Sequence, residues 1–301
     1  MTADHPPIDL AAEPALVDRD ATALVSPSEV PPVAEPDWLD LREPADHRAR
    51  NLDLVNQLAA ALPPGPVRIL DLGSGTGSTT RWLAPLLHGP QEWTLLDRDP
   101  ALLALVPDRM QGVLDADGEP LTISTRHADI TSLTGRDLVE TSAVTGSALA
   151  DLLSEAEVDD LAAACATAGV PALLTLTVTG EVELEPHDPV DDAVAAAFDA
   201  HQSREVAGRS LLGPLAVEMM ANAFRRNGMA VHTAASPWLL GPDDAALTAR
   251  WLRERVDAAV EQQPELGASA RAALTRRVNG ASLRAVVHHV DLLAIPIGGR
   301  P

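Results

Sequence analysis

Ile69-Leu-Asp-Leu-Gly-Ser-Gly-Thr-Gly77 is the stretch that decides the fold. With Val67 and Arg68 before it, it reads as a short apolar strand over 67–72, suited to a buried parallel position. The strand runs straight into a turn that holds three glycines in five residues. A turn of that composition between a strand and a helix lets a ligand approach the backbone closely. Its spacing is G-x-G-x-G. The dinucleotide fingerprint is G-x-G-x-x-G, and a P-loop ends in Gly-Lys-Ser/Thr, so neither matches. The helix start beyond Gly77 is a candidate anion site, for example for the carboxylate of an amino-acid ligand.

Outward from the turn the chain alternates. Upstream, Leu52, Val55, Leu58 and Ala59 give helical spacing over 46–62, and Pro63-Pro64-Gly65 stops it. Downstream, Trp82, Leu83, Leu86 and Leu87 mark one side of a helix. A second strand is expected at 93–96 and a helix at 100–106. A third strand at 121–125 leads to Ala128-Asp129-Ile130, and a weak fourth lies at 142–145. Ser154 and Glu157 then form a capping box, Val158, Leu161, Ala162 and Cys165 form one helix face, and Gly169 closes the helix. A strongly apolar fifth strand follows at 171–178. Five such alternations predict an α/β fold with a parallel sheet and helices on both faces. Asp188 as N-cap and Pro189 at the first position open a helix reaching His201. Pro214 opens another, ended by Arg225, Arg226 and Gly228. Two β-like segments, 229–235 and 284–295, close the chain, with a helical stretch at 243–277 between them.

Composition narrows the function. The 301 residues are 46% hydrophobic and 22% charged, enough for a sizeable core in one domain. Residues 1–36 carry seven prolines, seven acidic residues and one Arg, and read as a disordered acidic tail before a domain over 37–301. No basic segment leads into an apolar run at the N-terminus and no stretch matches a membrane span, so the expected compartment is the cytoplasm. Cys165 is alone, which excludes an intramolecular disulfide, and it belongs to the core face of its helix. There are 44 acidic against 22 basic residues, a net charge of −22, which argues against nucleic-acid backbones and anionic membranes. Every basic residue is Arg. With no Lys, Schiff-base chemistry is excluded. GC-rich codon bias and adaptation to high salt both remain open as the reason.

The 69–77 segment resembles motif I of the class I S-adenosylmethionine-dependent methyltransferases. The resemblance covers about 46–180 and the two closing segments. It implies a Rossmann-like methyltransferase fold, doubly wound, with a mostly parallel seven-stranded sheet, an antiparallel C-terminal strand and, here, a helical insert at about 243–277. It implies S-adenosyl-L-methionine as cofactor and S-adenosyl-L-homocysteine as product. Asp71, Gly73, Ser74, Gly75 and Gly77 would surround the methionyl part. Asp97 and Arg98 would lie at the ribose, Asp129 and Ile130 at the adenine, and Thr145 at the end of the fourth strand. After Trp38 the chain also looks like a group of bacterial small-molecule methyltransferases. That likeness rests on Leu41-Arg-Glu-Pro-Ala-Asp46, Ser147-Ala-Leu-Ala-Asp-Leu-Leu153, Ala197-Phe-Asp-Ala-His-Gln202 and Ser236-Pro-Trp-Leu-Leu-Gly-Pro242. The short polar fourth strand departs from the family, whose strand often starts with an acid; Glu140-Thr-Ser142 stands nearest that place.

An O, N or S acceptor calls for a base. His201 is one candidate, because Val194, Phe198 and His201 share a helix face. Asp151, one turn after Ser147, is the other. Asp199 lies off that stripe. Arg42 or Arg48 is a candidate partner for the cofactor carboxylate, Arg209 for an acidic acceptor, and Trp238 for the wall of an acceptor pocket. His288 and His289, adjacent in a strand, point to opposite faces, and no metal is expected. The acceptor is read as a small molecule: the surface is acidic and Asn/Asp-Pro-Pro-Tyr/Phe is absent. A protein acceptor stays open, as does a methyltransferase-like subunit or sensor that binds the cofactor without turnover. A nicotinamide enzyme is disfavoured by the glycine spacing and the closing hairpin. The 243–277 insert is a candidate lid or homodimer surface.

Overall fold

A computed structural model describes residues 34–206, 208–280 and 282–298, so the expected tail lies outside the described residues except for its last three. The elements run α1 (Pro36–Ala49), α2 (Leu52–Ala61), β1 (Val67–Leu72), α3 (Ser78–Leu83), β2 (Gln91–Asp97), α4 (Pro100–Leu103), α5 (Val106–Arg109), β3 (Thr122–His127), β4 (Ala143–Ser147), α6 (Glu155–Ala168) and β5 (Ala172–Glu185). Then come α7 (Asp191–Gln202), β6 (Glu205–Val206), β7 (Arg209–Ser210), α8 (Ala216–Arg226), β8 (Met229–Ala235), β9 (Trp238–Leu240), α9 (Ala245–Gln262), α10 (Gly267–Val278) and β10 (Arg284–Pro296). No described helix is long and apolar enough to cross a membrane.

The main sheet has the order β3-β2-β1-β4-β5-β10-β8. β1 to β5 are parallel, and β10 runs antiparallel to both β5 and β8. This is the doubly wound architecture expected from the strand–helix alternation. It has eight strands rather than seven, because β10 is long enough to pair β8 with its second half and β9 with its first. One apolar core, with Leu72, Val144, Leu174, Cys165 and Phe224, fills one face of the sheet. A second, with Leu58, Ile69, Trp93, Leu95 and Leu293, fills the other. Cys165 is fully buried, and burial pushes its thiol up to about 12, as a core cysteine requires.

Local signals were read correctly where they are self-contained. The Ser154 hydroxyl accepts from Glu157 N and Glu157 Oε2 from Ser154 N, while Gly169 ends α6 at φ +64°. Three expectations are corrected. The helix over 46–62 is two helices: Arg50 is extended, and the Asn51 side chain accepts from Leu54 N to cap α2. The helix at 100–106 is likewise two short turns, each opened by a proline. Asp188 is not the N-cap of α7, which begins at Asp191; its Oδ1 accepts from Val190 N in the preceding turn. The insert is the pair α9 and α10. Leu252, Val256 and Ala259 of α9 pack with Val194 and Ala197 of α7 and Ala270 of α10.

Asp291, on β10, has no exposed surface. Its Oδ1 accepts from Leu176 N and its Oδ2 from Asn51 N, both at 2.8 Å. Leu176 lies at φ +55° inside β5, where register shifts break the β5–β10 ladder. One carboxylate therefore fixes the strand distortion and the α1–α2 break together. Asp291→Ala leaves two buried N–H groups unpaired, and should lower unfolding free energy by about 2–5 kcal/mol in urea titration. A loss under about 1 kcal/mol would mean that strand pairing alone holds these segments.

Candidate functional site

The C-terminal ends of the parallel strands, with α1 across them, enclose a cleft of about 1140 Å³, open solvent at its mouth included. Open α/β sheets bind ligands at this end. Gly73, Ser74, Gly75, Asp97, Arg98, Asp129 and Ile130 line it. Gly73 and Gly75 lie at φ +58° and +55°, and a Cβ would stand 3.0 Å from Leu149 at the first and 3.1 Å from Leu39 at the second. Asp97 Oδ2 accepts from Gly75 N at 2.8 Å and Oδ1 from Asp99 N at 2.9 Å. Each oxygen keeps a further lone pair for a ligand hydroxyl. Asp129 Oδ1 accepts from both Thr131 N and Thr131 Oγ1. Burial works against that charge, but these bonds hold the carboxyl below its ordinary range.

Asp71, Gly77 and Thr145 do not line the cleft; they stand behind it. Asp71 is fully buried, its Oδ1 accepts from Thr145 Oγ1 at 2.8 Å, and its Oδ2 has no partner. Burial raises its carboxyl to about 6. Gly77 precedes α3 at φ +87°, and a Cβ there would collide with Met110 and crowd Leu95.

Arg42, Arg98 and Arg209 also line the cleft, and so does a fourth cation, Arg50, which the sequence reading missed. It is 4% exposed and lies over the Trp82 ring at 5.2 Å. Its Nη2 donates to Ser147 Oγ at 3.0 Å, while Nε and Nη1 have no partner. The expected cations are engaged elsewhere. Arg42 forks onto Asp46 at 2.9 and 3.2 Å, and Arg48 pairs with Asp244. Arg209 lines the cleft but is forked onto Glu157 and donates to Leu152 O.

A second cavity shares Arg42 and Ala148 with the cleft. Trp38, Trp238, Trp251 and Phe198 form its walls, and Asp151, Arg255 and His289 face it. Ala148 and Leu176, both on its lining, are the only described non-glycine residues at positive φ, +50° and +55°. Backbone held in that region concentrates at functional sites. Burial raises the Asp151 carboxyl above its ordinary range. His289 sits 5.2 Å from the Trp238 ring, and burial lowers it to about 4, so it is neutral. Trp238 lies in the wall as expected and donates to Asp46 Oδ1. His201 lies outside both cavities. Its Nδ1 accepts from Arg204 and its Nε2 stands 3.5 Å from Glu261 of α9. The helix stripe that contains it packs on the insert, not on the cleft. Asp199 is outside both linings too, and His288 turns to Glu183 at 2.9 Å.

No protein-family model matches the chain. A curated relative, the 3-methylorcinaldehyde synthase of Talaromyces stipitatus, is 46% identical over 56 residues, which are 17% of this chain and 2% of that far longer protein. Among solved structures, the chain is similar to a SAM-dependent methyltransferase from Geobacter sulfurreducens in complex with S-adenosyl-L-homocysteine. They share 19% identity, over 87% of this chain and 98% of that one, with a TM-score of 0.43. It is also similar to the cyclopropane synthase MmaA2 from Mycobacterium tuberculosis, at 14% identity over 87% and 93% of the two chains, with a TM-score of 0.47.

Asp71 predicts a pH dependence. Its folded value, about 6, lies above the ordinary 3.8, so between those values the folded chain holds a proton that the unfolded chain has lost. Stability from this group therefore falls as pH rises from about 4 to 6. Asp71→Asn should flatten that fall and raise unfolding free energy at pH 7 by roughly 1–3 kcal/mol. Urea titrations across the range measure both.

Proposed function

We propose that this chain is an S-adenosylmethionine-dependent methyltransferase acting on a small molecule. One juxtaposition supports the reading. The glycine turn, Asp97 and the half-partnered Arg50 enclose a single cleft, which meets an aromatic cavity at Arg42 and Ala148. The residues fit the cofactor. Arg50 presents two unpaired donors to its carboxylate. Gly73 and Gly75 give its methionyl chain access to the backbone that a Cβ would obstruct. Asp97 takes the ribose hydroxyls on its remaining lone pairs, with Arg98 beside it. Asp129 accepts from the adenine amine and Ile130 packs on the ring. Asp71 and Thr145 tie β1 to β4 behind the turn, and Gly77 admits Met110 against the start of α3.

When bound, the cofactor supplies a sulfonium methyl: a lone pair of the acceptor bonds to the methyl carbon as the S–C bond breaks, and its electron pair stays on sulfur. The protein's part is positioning and a proton sink. The aromatic cavity holds the acceptor. Asp151, its carboxyl raised above the ordinary range by burial, receives the acceptor's proton. Placement supports Asp151 over His201 in this role. The net charge of −22 favours a small acceptor over a nucleic acid, and the reading takes a bacterial cytoplasm as the setting.

Titration calorimetry of the full chain tests this. S-adenosylmethionine and S-adenosylhomocysteine should bind at micromolar concentration, and Asp97→Ala should abolish binding. Arg50→Met should weaken S-adenosylmethionine at least tenfold but leave 5′-methylthioadenosine, which lacks the amino-acid carboxylate, unchanged. Asp151→Asn should keep cofactor affinity and lower turnover by about 100-fold or more. No heat from either nucleoside in a folded protein would overturn the reading.

A further inference from the structure

The second cavity carries a more specific conclusion about the acceptor, resting on the methyltransferase reading above. Its aromatic walls are not free to receive a cation. Arg42 lies 5.0 Å from the Trp238 ring and 5.9 Å from Trp38, and Arg250 lies 5.3 Å from Trp38. Arg255 lies 4.3 Å from Phe198 and 5.9 Å from Trp251. Each ring already stacks with a guanidinium of the chain, so a cationic ligand would meet repulsion where an open aromatic cage attracts one.

These arginines differ in how they are neutralised. Arg42 is forked onto Asp46, and Arg250 is paired with Glu35 and Glu254. Arg255 is 5% exposed and its Nη2 has no hydrogen-bond partner. Asp199 and Asp191 act on it only through space. Arg255 borders both this cavity and the neighbouring one between α7, α9 and α10, but its head group lies against Phe198 and Trp251, which line this cavity alone. A buried guanidinium donor with no acceptor is costly, and a ligand anion removes that cost with a charge-assisted bond. The carboxylates on the lining are Asp151, on the segment after β4, and Glu181, which is exposed. Neither is paired with Arg255, which reaches the cavity from α9.

We propose that the acceptor is an aromatic carboxylate, its anionic end held by Arg255 and its ring lying among Trp38, Trp238 and Trp251. The α9–α10 insert is then the element that selects the substrate. A neutral analogue leaves the Arg255 donor unpaired, and such sites reject ligands that lack the matching group.

The test is calorimetric titration of the full chain with benzoate, cinnamate and indole-3-acetate, each beside its primary amide, with and without saturating S-adenosylhomocysteine. At least one acid should bind tenfold or more tightly than its amide. Arg255→Met should erase that difference without changing S-adenosylhomocysteine affinity, and Arg255→Lys should keep most of it. Equal binding of acid and amide, no binding of any acid, or a preference that survives in Arg255→Met would overturn the proposal. The wild-type comparison stands even if a variant does not fold. Failure of S-adenosylhomocysteine to bind strikes the cofactor reading instead, and the titrations without it still test the anion preference.

Discussion

The Asp291 carboxylate is the constraint on which the site depends. A strand in the middle of a sheet normally gives its N–H groups to its neighbours. Leu176 cannot, because its backbone turns to positive φ, and Asp291 takes its N–H instead. The same carboxylate takes Asn51 N, where the chain leaves α1 and enters α2. The distorted strand brings Leu176 to the lining of the aromatic cavity, and the break leaves Arg50 extended toward the cleft. Two walls from distant parts of the sequence are thus set by one buried charge. That charge is itself strained: burial raises the Asp291 carboxyl above its ordinary range in spite of the N–H groups that stabilise it.

The two cavities differ in how their arginines are neutralised. The chain has no Lys, so every cation near the site is a planar guanidinium, able to stack and to fork. Most of these groups find carboxylates of the chain itself. Arg50 and Arg255 are both buried, and each keeps at least one donor without an acceptor. One lies where the strands end, the other at the insert, with Ala148 and Arg42 at the junction between them. In a chain of net charge −22, these buried donors are local exceptions to a field that on the whole disfavours anions.

What the sequence disclosed was governed by distance along the chain. The turn at Gly73–Gly77 and the Ser154–Glu157 capping box are complete within a few residues, and both formed as read. The break at Arg50 was invisible because its stabilising partner, Asp291, lies 240 residues away from Asn51. β9 was missed because three residues after Ser-Pro give no periodicity, and only the first half of β10 gives them a partner. His201 did end an apolar stripe, but that stripe packs on α9, an element the fold alone does not require. Arg42 and Arg48 were sound candidates by position. Asp46, one turn from Arg42, is an alternative partner visible in the sequence and is the one it takes, whereas the pairing of Arg48 with Asp244 is tertiary and invisible there.

The way α1 is fastened has a consequence of its own. This helix buries only Ala45 and Asp46 fully, and its perimeter is tied down by charge. Asp40 holds Arg109 of α5, Glu43 holds Arg81 of α3, Arg48 holds Asp244 before α9, and Glu35 at its start holds Arg250. Trp38, Leu41 and Ala45 also pack with Trp238, Leu240 and Leu247, and the Glu43–Arg81 pair is largely shielded, so salt screens chiefly the outer pairs of Asp40, Arg48 and Glu35. Rising ionic strength therefore loosens the rim of this helix before it reaches its apolar seat, so its two edges and its buried face differ in their response to the background electrolyte.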